Sequence, residues 1–239
     1  MHGVVFIDKP AGMTSFDVIK RLRSITQIRK IGHAGTLDPF ATGLLIVCIS
    51  RQATKFIDEF AHLNKTYTAV LKLGEKTDTA DIEGKIIEIK DIPDNVEQNI
   101  DDVFTSSLGE IDQIPPQFSA IKKNGVRLYK TARKGIQVEV EPRKVYIHSL
   151  SFMNYQKPYL DFRSTVSKGT YIRSLGEDIA AKLGTVGHLT ELRRDFIGPF
   201  SVKNALSLGN INKEILENSI RPIEEIIATV QEYKNEKSS

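Results

Sequence analysis

Residues 32–43 read GHAGTLDPFATG and run straight into LLIVCIS at 44–50. Three glycines and a proline in twelve residues disfavour regular structure, so the first stretch is a loop. The second is a short apolar run, the pattern of a buried strand. This junction fixes one carboxylate, Asp38, just ahead of a core strand, where it is rigidly held and reachable. Glycines 32, 35 and 43 let backbone approach a ligand closely, and Pro39 stiffens the position after the acid. Local chemistry alone still favours an ordinary Asp-Pro turn, in which the acid bonds a neighbouring amide.

Around that junction, GVVFI (3–7) reads as a buried strand ended by the turn cluster Asp8-Lys9-Pro10-Ala11-Gly12. Thr14 caps the next helix, with Asp17 where a capping box carries Glu or Gln. Val18, Leu22 and Ile25, with Phe16 and Ile19 beside them, form its apolar face, and Lys20, Arg21 and Arg23 lie away from it. Cys48 is a small core residue of the strand after the loop. Phe56, Ile57, Phe60 and Leu63 mark a second helix. TYTAVLKL (66–73) and KIIEI (85–89) are strands joined across EKTDTADIEG. Val96, Ile100, Val103, Phe104 and Leu108 space a helix stopping at Gly109. Residues 122–135 carry a short basic helix, and 145–153 with 159–167 alternate as an antiparallel pair. Ile172, Leu175, Ile179 and Leu183 form a helix face closed by Gly184, and the last segment is a short helix running into a polar tail. Strands and helices alternate irregularly, which predicts an α+β fold around a mostly antiparallel sheet, as one domain with inserted loops.

Composition narrows the classes. The 239 residues are 40% hydrophobic and 26% charged, ordinary for a globular chain. The single cysteine excludes an intramolecular disulfide. No apolar run reaches the roughly 18–20 residues of a membrane helix, and MHGVVFIDKP lacks a signal-peptide pattern; the expected location is the cytoplasm. Histidines 2, 33, 62, 148 and 188 include no pair at helical ligand spacing, and Asp78, Asp81 and Glu83 read as a solvated turn rather than a calcium loop. Phosphate loops, dinucleotide fingerprints and the serine-hydrolase elbow are missing. Net charge is only +3, but residues 61–120 carry 5 basic and 12 acidic side chains while 121–180 carry 12 and 5. A block that basic suits a polyanion, although a solvated face is the plainer reading.

Several segments together resemble the TruB-type tRNA pseudouridine synthases: DKPAGMTS (8–15), GHAGTLDPFATGLL (32–45), KTYTA (65–69), LGEKTDTADIEG (73–84), QIPPQFSAIKKNGVRLYKTARKG (113–135), SKGTYIRSLGEDI (167–179) and LRR (192–194). They stand in family order and cover most of residues 3–200. Other pseudouridine synthases commonly carry R-L-D around the acid, so T-L-D-P-x-A-T-G points to this branch. The resemblance implies a pseudouridine synthase fold, a mostly antiparallel mixed sheet flanked by helices, with an inserted RNA-gripping element at about 113–140. It also implies the isomerisation of the uridine at conventional position 55 in the TΨC loop of tRNA, by a monomer without metal or cofactor.

Asp38 is then the catalytic aspartate. The uridine loses its N1–C1′ bond, its base turns, and C5 rejoins the sugar. No water is added, so the second carboxyl of a glycosidase is unnecessary. One carboxylate either attacks the substrate or takes a proton from the sugar. The target base must be extruded from the loop. By family match, His33 and Tyr67 stack against RNA bases, Tyr67 as the active-site tyrosine. Arg173 pairs with the catalytic acid, and Tyr171 and Leu192 line the uracil pocket. Lys122, Lys123, Arg127, Lys130, Arg133 and Lys134 match an element that closes on the RNA arm, and Lys20, Arg21 and Arg23 offer further phosphate contacts.

The family usually continues into a C-terminal PUA-type domain. Only about forty residues follow LRRDFIGPF, so 1–210 is expected to be catalytic domain and 211–239 a helix and polar tail without that module. Two rivals share the surface: a guide-RNA-dependent synthase, and a non-catalytic tRNA-binding or folding protein.

Overall fold

A computed structural model describes residues 1–116, 118, 122–123, 126–127, 140–209 and 211–238. In chain order its main elements are β1 (Gly3–Lys9), α1 (Ser15–Thr26), β2 (Ile31–His33), β3 (Thr42–Ile49), α2 (Ser50–Thr54), α3 (Ile57–Ala61), β4 (Lys65–Leu73), β5 (Glu75–Thr77) and β6 (Ile86–Ile89). There follow α4 (Val96–Thr105), β7 (Gly109–Gln113), β8 (Lys122–Lys123), β9 (Val126–Arg127), β10 (Arg143–Gln156) and β11 (Tyr159–Val166). The chain ends with α5 (Ile172–Lys182), β12 (Gly187–Ile197), β13 (Phe200–Ser201), β14 (Leu206–Ser207), α6 (Lys213–Ser219) and α7 (Ile223–Ser238). These residues fall into two compact units: Met1–Tyr67 with Leu192–Ser239, and Thr68–Glu191. The fold is mixed α/β, with mixed sheet flanked by helices.

In the first unit β3 is the spine, buried from Gly43 to Ile49. On one side β1 pairs with it antiparallel, from Gly3 opposite Ile49 to Lys9 opposite Gly43, and β14 runs parallel to β1. Its other side is shared. β2 covers Val47–Ile49 antiparallel, and β12 meets Thr42 and Gly43 in parallel. The apolar run at 44–49 is continuous because both sheet faces are covered. Leu44, Ile46 and Cys48 pack with Phe60, Phe200, Ile226 and Val230, while Leu45, Val47 and Ile49 pack with Val18, Ile19, Leu22 and Leu216.

Helix α1 opens with a full capping box: the Asp17 amide donates to Thr14 Oγ1 at 3.1 Å, and the Thr14 amide to Asp17 Oδ2 at 3.1 Å. Its buried stripe is Ser15, Val18, Ile19, Leu22 and Thr26, so the helix is rotated from the expected face. Phe16 falls one residue off that stripe and is 53% exposed. The helix expected around residues 56–63 is the short α3, and Lys55 and Phe56 separate it from α2, a further short helix that directly follows β3.

In the second unit the neighbouring strands run β12, β4, β11, β10, β7. β10 pairs antiparallel with both β11 and β7. On the core side Phe104 of α4 meets Phe162 edge-on at 6.2 Å. KIIEI does not return along residues 66–73. Gly74, at φ +90°, turns the chain out of β4, and β6 pairs with β5 in a separate ribbon. Helix α4 ends at Thr105, and Gly109, at φ +91°, opens β7 instead of closing the helix. Where a basic helix was expected from 122, Lys122 pairs with Arg127 and Lys123 with Val126 as short strands; residues 128–135 lie outside the described residues.

Candidate active site

The Asp38 loop leaves one edge of β3 and rejoins the same strand. The Ala34 amide donates to the Ile46 carbonyl at 3.0 Å, where β2 parts from β3, and the strand resumes at Thr42. Between those points the backbone is fixed residue by residue. Ser15 Oγ accepts from the Leu37 amide at 2.8 Å and donates to the Leu37 carbonyl at 3.2 Å. The Pro39 carbonyl accepts from the Gly12 amide at 2.9 Å and from Lys9 Nζ at 3.2 Å. Both residues flanking Asp38 are therefore pinned, and Asp38 itself is partly exposed, its carbonyl accepting from the Ala41 amide at 3.2 Å.

Lys9 is fully buried, and its ammonium also donates to the Pro10 and Met13 carbonyls at 2.8 and 2.7 Å. Carbonyl dipoles thus replace the water this charge would otherwise hold. Arg194 closes the loop from the other side. Also buried, it donates from Nε to the Leu44 carbonyl at 2.8 Å and from Nη2 to the Gly35 carbonyl at 3.0 Å. One planar guanidinium so ties the loop's start to the strand after it. Gly43 permits this approach: its φ is +106°, and a Cβ there would lie 2.3 Å from the Arg194 carbonyl oxygen.

His33 stands at the end of β2, opposite Val47. Burial, and then the nearby Arg194 charge, hold its pKa below the ordinary 6.5, so its ring is neutral at physiological pH. Tyr67 and Leu192 are buried side chains of the same unit. Beside Leu192, Arg193 forms a two-pronged pair with Asp8, Nη1 to Oδ1 at 3.1 Å and Nη2 to Oδ2 at 2.7 Å. That pair raises the Arg193 pKa further.

Tyr171 and Arg173 belong to the second unit, at the start of α5. The Gln113 side chain brackets Tyr171: its Oε1 accepts from the Tyr171 amide at 2.8 Å and its Nε2 donates to the Tyr171 carbonyl at 3.1 Å. Arg173 is buried, donating from Nη1 to the Thr79 carbonyl at 2.7 Å and from Nη2 to the Phe118 carbonyl at 2.9 Å. Asp81, also buried, faces it with Nη1 to Oδ2 at 3.5 Å. Its other oxygen accepts from Thr79 Oγ1 at 2.6 Å and the Glu83 amide at 3.0 Å. Asp81, expected to sit in a solvated turn, is thus a buried carboxylate beside Arg173.

Among the candidate phosphate contacts, Lys20 pairs with Asp17 at 3.0 Å, Arg21 donates to the Gly209 carbonyl at 3.1 Å and Arg23 to the Ile31 carbonyl at 3.2 Å. Lys122, Lys123 and Arg127 lie on β8 and β9, and Lys130, Arg133 and Lys134 fall outside the described residues. Sequence reasoning assigned no role to Lys9, Ser15, Asp81 or Arg194. Their signal was membership of the matched segments, since their partners are largely backbone groups.

With this geometry in view, the similarities to known proteins are specific. The TruB family pseudouridylate synthase (N terminal domain) model matches residues 23–172. A tRNA pseudouridine synthase B of Clostridium tetani is 45% identical over 228 residues, covering 95% of this chain and 78% of that protein. One from Syntrophotalea carbinolica is 44% identical over 237 residues, covering 99% and 76%. Among solved structures, the crystal structure of a Cbf5-Nop10-Gar1 complex matches with TM-score 0.72 and 28% identity over 93% of this chain. This chain spans 60% of the length of the one it matches there. Family match, long alignments and shared architecture agree, and the chain belongs to the TruB family of pseudouridylate synthases.

Proposed function

We propose that this TruB-family isomerase converts the uridine at conventional position 55 of the tRNA TΨC loop to pseudouridine, with Asp38 as the catalytic carboxylate. The observation carrying the proposal is the mounting of Asp38, with Leu37 and Pro39 each fixed by hydrogen bonds while the acid stays partly exposed. Such fixing supplies in advance the orientation that catalysis requires. In the reaction the N1–C1′ bond breaks, the uracil turns, the C5–C1′ bond forms, and the proton leaving C5 is balanced by one gained at N1. The sum is redox-neutral and consumes no water, so it calls for neither cofactor nor metal.

In this reading Tyr67 lies against the extruded uracil, Tyr171 and Leu192 complete its pocket, and neutral His33 stacks in the RNA. Arg173 keeps Asp38 ionised and aimed. Lys20, Arg21, Arg23 and the basic residues Lys122, Lys123, Arg127, Lys130, Arg133 and Lys134 hold phosphates of the stem-loop. The protein works as a monomer in the cytoplasm.

The test is an unmodified tRNA transcript labelled with tritium at uridine C5, incubated with the purified chain alone. Tritium should be released, and mapping should find pseudouridine at position 55. Asp38→Asn should abolish release while tRNA binding stays within about threefold of wild type, since the change removes charge but little volume. The second reading is a guide-RNA-dependent synthase; activity appearing only when a guide RNA is added selects it. A wild-type chain that binds tRNA but never releases tritium selects a binding protein.

A further inference from the structure

We propose that Phe16, with Lys20 and Arg23 beside it, is a stacking ledge for an unpaired base of the bound RNA next to the target uridine. The inference rests on the tRNA reading above. A phenylalanine is normally withdrawn from water, yet this ring is 53% exposed on a helix that had an apolar stripe available for it. Its neighbours are cations: Lys20 Nζ is 5.1 Å and Arg23 Cζ 5.7 Å from the ring centroid. The Arg23 guanidinium is fixed by its bond to the Ile31 carbonyl, and among the described residues its buried Nε has no hydrogen-bond partner. The intervening acid is largely occupied, since Asp17 is drawn down to about 2 by the Thr14 hydroxyl and then Lys20.

The position matters as much as the composition. Ser15, the preceding residue, points inward and bonds both backbone groups of Leu37, the residue before Asp38. Phe16 is therefore carried on the block that holds the catalytic acid. An apolar protein partner fits poorly here, because covering the ring would also strip water from Lys20 and Arg23. A nucleotide fits on both counts: its base has a π-face for the ring, and its phosphates have charge for the cations.

The experiment measures binding of an unmodified tRNA transcript to the full chain across a series of salt concentrations. Phe16→Ala should weaken binding about tenfold or more at every salt while leaving the slope of affinity against salt unchanged, because the ring carries no charge. Phe16→Trp should restore affinity to within about twofold, and Phe16→Leu should remain weak, since leucine keeps apolar area without a π-face. The side chain is exposed, so the melting temperature of all three should match wild type. Affinity of Phe16→Ala or Phe16→Leu equal to wild type overturns the ledge. Wild type and all variants failing alike to bind tRNA overturns instead the reading on which it rests.

Discussion

At the scale of single residues, the backbone on either side of Asp38 is held as firmly as any part of the loop. Ser15 uses one hydroxyl to satisfy both the amide and the carbonyl of Leu37. Ser15→Ala leaves two backbone groups without that partner, which should cost about 1–3 kcal/mol in stability. More tellingly, it should slow single-turnover pseudouridine formation about 10–100-fold with tRNA affinity nearly unchanged, because the loss is of aim rather than grip. Ser15→Thr, which keeps the hydroxyl, should recover most of that rate. An unchanged single-turnover rate in a folded Ser15→Ala chain would show that the hydroxyl does not aim Asp38. The loop around Asp38 was legible in the sequence, because three glycines and a proline disfavour regular structure. The role given to the acid rests on the family resemblance, since local chemistry alone favours an Asp-Pro turn. Lys9, Ser15 and Arg194 were not legible, because their listeners are peptide groups, which every residue carries alike. Asp81 was misread for a related reason: a polar, turn-rich context suggests water, and only the fold supplies a buried arginine.

At the scale of elements, β3 carries the design. Its uninterrupted apolar run was readable because two helix-bearing faces demand it, and β1, α1, the β10–β11 pair and α5 were readable from equally long periodic stretches. β2, β5, β13 and β14 are only two or three residues long, too short for any period to register. The rotation of α1 escaped because small Ser15 and Thr26 occupy buried positions that an apolar count assigns to larger residues. Gly43 offers the sharpest test at this scale. Gly43→Ala combines an unfavourable φ with a backbone collision, and should destabilise the chain by more than about 3 kcal/mol in urea melts. A change under about 1 kcal/mol would mean that β12 can retreat from β3 at little cost.

At the scale of the whole molecule, near-neutrality conceals segregation, with 5 basic and 12 acidic residues over 61–120 against 12 and 5 over 121–180. The net charge of +3 therefore underestimates the pull on a polyanion. If six or more cations meet phosphates, a fourfold rise in salt should weaken tRNA binding by about a thousandfold, read from filter-binding isotherms. A drop under about tenfold would mean few phosphates are engaged. The mounting of Asp38 has one more consequence, in time rather than space. Its fastenings come from residues 9 and 15, synthesised before it, and from residue 194, synthesised more than 150 positions later. A nascent chain emerging from the ribosome carries the acid long before it carries the last bolt, so the mounting of this loop is complete only once most of the chain has been made.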